Sequence, residues 1–173
     1  MSSIAFEFDS QKAIEVILYI ANRRNAPTIR DILKLIYLAD KTSLENYGRF
    51  VTGDRYVAME QGPVASNTYD ILKEARDSNA FGFLVEYRYH LRPLRDADTD
   101  ELSESDIICL DQIMQAFGHF PSWKLLEEAH DDTWKEIWGA AKARGVPIPV
   151  KEIIQLFEGS SELLDYLENI NNE

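Results

Sequence analysis

Residues 51–66, VTGDRYVAMEQGPVAS, interrupt a chain whose apolar residues otherwise recur at helical spacing. Gly53, Gly62 and Pro63 fall close together here. In a helix interior each glycine costs about 1 kcal/mol and a proline about 3 kcal/mol relative to alanine. A helical body is therefore crossed at this point by something else. Between the breakers, residues 54–60 alternate weakly, with Tyr56 and Ala58 on one side and Val57 and Met59 on the other. Both faces are partly apolar, which predicts a short strand packed on helices. Gly48 and Gly53 let the chain leave a helix and enter that strand through backbone angles other residues resist. Gly62-Pro63 is expected to end it, just ahead of a helix starting at Ser66 or a neighbour.

The flanking pattern is helical. Asp9 or Ser10 caps a first helix through Arg24, with Ile14, Ile17, Leu18 and Ala21 on one face. Asn25-Ala26-Pro27 breaks it. Thr28 and Asp31 form an acidic capping box for a second helix, which carries Ile29, Ile32, Leu33, Ile36 and Tyr37 and ends near Gly48. Tyr69, Leu72 and Ala75 mark a third. The clearest period of two follows: Phe83, Val85, Tyr87, Tyr89 and Leu91 alternate with Leu84, Glu86, Arg88, His90 and Arg92. This predicts a strand over 83–92, stopped by Pro93 and paired antiparallel with 54–60. Ser103 and Asp106 repeat the capping pattern ahead of Ile107, Leu110, Met114 and Phe117. Further helices are expected from Ser122, over 132–144, and near 150–158 and 160–170. The expected fold is mainly α: one domain of seven to eight helices, 1–173, with a small antiparallel ribbon near 54–60 and 83–92.

Chemistry-bearing patterns are sparse. No phosphate loop, dinucleotide fingerprint, nucleophile elbow or HExxH helix occurs. Cys109, the single cysteine, lies in an apolar helical run, so a buried, inert thiol is expected, with no internal disulfide. Among His90, His119 and His130, only His130 has carboxylate neighbours, Asp131 and Asp132; capping a helix end or hydrogen-bonding a backbone carbonyl is its expected role. Trp123, Trp134 and Trp138 are expected in the core. No catalytic residue, metal or cofactor is expected. The net charge of −12 repels nucleic-acid phosphates and favours basic partners. Arg23, Arg24, Arg30 and Lys34 are too diluted for a nucleic-acid footprint. No apolar run reaches the ~20 residues of a membrane span, and Glu7 and Asp9 interrupt the N-terminal apolar start, so a cytoplasmic protein is expected. Arg88, His90 and Arg92 project from one face of the predicted strand. Such a row either docks an acidic segment or added strand, or keeps an edge from pairing.

Residues 34–73, KLIYLADKTSLENYGRFVTGDRYVAMEQGPVASNTYDILK, resemble the Panacea, or SocA-like, domain of phage-associated, GepA-like proteins. The resemblance rests on an ordered series: KLIYLAD, YGR, TGD with YVAM, GPV with Ser66, and Tyr69-Asp70. LSESDIICLDQIMQAFG and SWKLLEEAHDDTW resemble its second half, with His130 and Trp134 matching a His-to-Trp element. The likeness is strongest over 10–140, leaving 145–173 as a C-terminal helical extension. Where relatives often carry a second proline after GPV, this chain has Ala65.

The resemblance implies a non-catalytic antitoxin that binds and neutralises a cognate toxin. One branch of the family implies an alternative, an adaptor delivering its toxin to a cytosolic protease. The residues expected to meet the partner surround the ribbon: Tyr56, Met59, Gln61, Arg88, His90 and Arg92. Gly53, Asp54, Gly62, Pro63, Val64, Ser66, Tyr69, His130 and Trp134 are expected as scaffold.

Overall fold

A computed structural model describes residues 3–141, 143 and 145–172. Helix α1 (Ser10–Ala21) begins where the Asp9 carboxylate accepts the Lys12 amide. It stops at Ala21, three residues earlier than expected, where the Asn22 side chain folds back to donate to the Leu18 carbonyl. Helix α2 (Ile29–Tyr47) opens with the Thr28–Asp31 capping box and closes at Gly48, which is left-handed (φ 72°). Every residue from 31 to 40 is buried. That makes α2 the central helix, and α1, α4 (Glu104–Phe117), α5 (Ser122–Ala129) and the hairpin below all pack on it. The Ser103–Asp106 capping box starts α4 as expected. Buried Asp106 also takes ion pairs from Lys12 at 2.6 Å and Arg49 at 3.1 Å, tying α4 to α1 and to the loop after α2.

The strands differ from expectation in partner. β1 (Tyr56–Met59) and β2 (Gly62–Ala65) form an antiparallel hairpin with Met59 opposite Gly62 and Tyr56 opposite Ala65. The other edge of β1 is taken by β5 (Val146–Ile148), giving the sheet order β2-β1-β5. With both edges of β1 filled, residues 83–92 cannot join it. They fold on themselves instead, as β3 (Phe83–Val85) against β4 (Leu91–Pro93). Between these two strands Tyr87–Tyr89 make a 3-10 turn in which Arg88 (φ 59°) and Tyr89 (φ 63°) are both left-handed. β1 ends ahead of Gly62-Pro63 as expected, but these two residues then open a second strand instead of leading straight into a helix. β2 is an edge, where a proline's missing N–H leaves no central ladder bond unmade.

Helix α3 (Ser66–Glu74) follows β2. In the last third lie α6 (Asp132–Ala141), α7 (Val150–Ile154) and α8 (Ser160–Ile170). The helix expected over 132–144 is described to Ala141, and positions 142 and 144 lie outside the described residues. The eight α-helices and short antiparallel strands described make the chain mainly α. The C-terminal extension, with helices expected near 150–158 and 160–170, also supplies β5 ahead of them. The tryptophans split: Trp134 is buried, Trp138 half-buried and Trp123 64% exposed. No described helix is long and apolar enough to cross a membrane.

Candidate functional site

The β1–β2 hairpin is held from beneath by two buried aspartates. Asp40 of α2 accepts the Val51 amide at 2.7 Å and the Tyr56 hydroxyl at 2.6 Å. Burial pushes its carboxyl up to about 7, although both hydrogen bonds pull the other way. Asp54 accepts the Asn67 amide at 2.9 Å and, at 2.7 Å each, the Thr68 amide and hydroxyl. It therefore supplies, from across the hairpin, the cap of α3, which starts at Ser66 as expected. Beside it Gly53 is left-handed (φ 73°), and a β-carbon there would overlap the Glu7 carbonyl. The N-terminal segment crosses at that point, where the Asp9 amide donates to the Thr52 carbonyl at 2.9 Å.

On the other side the hairpin rests on Lys34, His130 and Trp134. Lys34 is 1% exposed, and its ammonium donates to the Pro63 carbonyl at 2.9 Å. Burial, reinforced by the nearby Arg30 charge, pulls its pKa down to about 7. His130 caps the end of α5 and stacks on Trp134, with ring centroids 4.0 Å apart. The Trp134 indole donates to the Met59 carbonyl at 2.8 Å. Asp131 fixes the pair: it accepts the Trp134 amide at 3.0 Å, the Tyr37 hydroxyl, and Lys41 at 3.0 Å. Burial pushes the His130 pKa down, with the neighbouring Gln61 backbone and Asp131 opposing. A β-carbon on Gly62 (φ 113°) would stand 3.0 Å from His130 Cδ2 and 3.2 Å from Lys34 Nζ. The glycine is there because the imidazole and the ammonium both approach its backbone.

Above this floor opens a cavity of about 470 Å³. Met59, Gln61 and Arg88, expected to meet a partner, line it, as do Val64 and Tyr69. Tyr56 does not; it is 2% exposed beneath the hairpin. His90 and Arg92 also lie elsewhere, lining a second cavity of about 780 Å³ with Arg23, Arg24 and Glu86. There His90 Nδ1 lies 3.1 Å from the Ala26 carbonyl and Arg92 pairs with Glu86 at 2.6 Å. The expected row of Arg88, His90 and Arg92 is broken because the strand is interrupted at 87–89, which sends Arg88 one way and its neighbours the other.

Three basic lining residues were not among the expected partner contacts: Arg30 and Lys34, weighed only as part of a nucleic-acid footprint, and Arg76. Arg30 and Lys34 stand one helical turn apart on α2, a spacing that puts them on one wall. Arg76 lies just past α3, with its guanidinium 4.6 Å from the centre of the Tyr89 ring. No group of three His, Cys, Asp or Glu side chains able to hold a metal occurs among the described residues.

Comparison with curated proteins and with solved structures gives no match. The family model described as Antitoxin SocA-like, Panacea domain matches residues 32–135, from the central helix through the hairpin to Trp134 and Lys135. That span is more than half of the chain, and the chain belongs to the SocA-like antitoxin family, with a Panacea domain.

Proposed function

We propose that this chain is a cytoplasmic, non-catalytic antitoxin that acts as one domain, by binding a toxic protein, and that the partner docks over the 470 Å³ cavity. Family membership supports the antitoxin role. The observation that carries the location is the contrast between frame and lining. The hairpin backbone is held by Lys34 and Trp134 through the Pro63 and Met59 carbonyls, and Asp40 holds the Tyr56 hydroxyl beneath it, while Gln61, Arg88 and Tyr89 on the same rim are exposed. A rigid frame presenting exposed side chains lowers the ordering cost of binding. Met59, Gln61 and Arg88 are the contact residues in this reading, with Tyr69 behind them.

Co-expression with the product of the neighbouring gene tests it. A product that arrests growth alone and is neutralised by this chain supports the reading. A neighbouring product that is harmless, or toxic and not neutralised, contradicts it.

A further inference from the structure

We propose that the cavity between α2, the β1–β2 hairpin and the 87–89 turn receives an acidic segment of the toxin's polypeptide, its carboxylates meeting Arg30, Arg76 and Arg88. This rests on the antitoxin reading and names the partner's chemistry. The chain carries 30 acidic and 18 basic residues, so carboxylates are in excess, and several arginines take one. Arg24, Arg49, Arg92 and Arg95 each do so, with Asp31, Asp106, Glu86 and Glu15. Arg23, Arg30, Arg55, Arg76 and Arg88 form no ion pair among the described residues, and three of these five, Arg30, Arg76 and Arg88, line one cavity, with Lys34. Glu60 is the single carboxylate among its described lining residues.

The backbone supports the same reading. Continued pairing of 83–92 as a plain strand would have placed Arg88 beside His90 and Arg92. Instead two consecutive non-glycine residues adopt the left-handed conformation, at roughly 1–2 kcal/mol each. That turn brings Arg88 and Tyr89 to the cavity wall.

The occupant follows from the lining. The three arginines come from α2, the turn after α3 and the 87–89 turn, and Ile29, Leu33, Met59 and Val64 add apolar wall to the same cavity. Cations spread along an apolar wall suit carboxylates spaced along a chain with apolar side chains between, rather than one compact anion. The volume lies within the range of about 300–1,000 Å³ typical of ligand sites, room for a few side chains.

Calorimetric titration of the full chain at low salt tests this with an N-acetylated, C-amidated pentapeptide, Glu-Leu-Glu-Phe-Glu, and its glutamine counterpart. The acidic peptide is expected to bind at least about tenfold more tightly than the glutamine one. The Arg76→Glu/Arg88→Glu chain is expected to lose that preference while remaining folded, with only a small fall in melting temperature, because neither side chain forms an ion pair and each gives up one exposed cation–π contact, with Tyr89 and Tyr87. Equal affinity for the two peptides, an unchanged preference in the variant, or inorganic phosphate competing at the peptide's own concentration would overturn the proposal. In co-expression, neutralisation retained by the variant overturns the acidic-segment proposal and leaves the antitoxin reading standing. Failure of the unaltered chain to neutralise overturns the antitoxin reading, while the titration still decides what the cavity takes.

Discussion

The ammonium of Lys34 donates to the carbonyl of Pro63 at 2.9 Å, so a buried cation of the central helix holds the edge strand of the hairpin. That lysine titrates near 7 in the folded chain, against 10.5 for a free lysine. Between those values the unfolded chain binds the proton more readily, so on this account stability rises with pH from about 7 to 10.5 and is flat below. Lys34→Met is expected to lack this rise, which amounts to at most about 1.4 kcal/mol per pH unit. Urea unfolding at pH 7, 8.5 and 10 measures it; parallel pH profiles for the two proteins would refute the assignment.

Asp40 gives the opposite slope. Its folded pKa is raised to about 7 from 3.8, so between those values the folded chain holds the proton more tightly. Its contribution is present below pH 4 and lost as pH rises to 7. Compared with Asp40→Asn, the unaltered chain should lose stability steadily across that window and run parallel above pH 8. Denaturant midpoints for both proteins from pH 4 to 8 check it.

Gly53→Ala should destabilise by at least about 2 kcal/mol, since the left-handed backbone is strained for alanine and the methyl meets the Glu7 carbonyl. Gly139→Ala is the control: it lies inside α6 with nothing within 4 Å of its added carbon. There the change should stabilise by about 0.5–1 kcal/mol. Thermal melts of the two variants should move in opposite directions.

Trp134→Phe keeps a ring to stack on His130 but removes the indole donor to the Met59 carbonyl. A loss of about 1–3 kcal/mol is expected. Amide exchange within the 59–62 turn should quicken more than in α4, which does not contact Trp134 through that bond.

Helices α1, α2 and α4 were legible because each announces its own start. Thr28–Asp31 and Ser103–Asp106 are three residues apart and act locally, and both form as the spacing predicts. Strand partners were not legible. Tyr56–Met59 has the right pattern, but nothing local says that Val146–Ile148, ninety residues on, takes its second edge. Once that edge is filled, the alternation of 83–92 is overridden and two left-handed residues appear where an unbroken strand was expected. The candidate site divides the same way. Met59, Gln61 and Arg88 were identified from the ribbon, whereas Lys34 and Arg76 come to the cavity only through the packing of α2 and α3 around it.

The central claim is that a toxic protein docks on the hairpin and the 87–89 turn. Hydrogen–deuterium exchange of the full chain, alone and with the neutralised toxin, tests it most directly. Protection of amides in 59–64 and 86–90 on complex formation is the predicted result. A complex that leaves both segments unchanged and protects only other faces would contradict it.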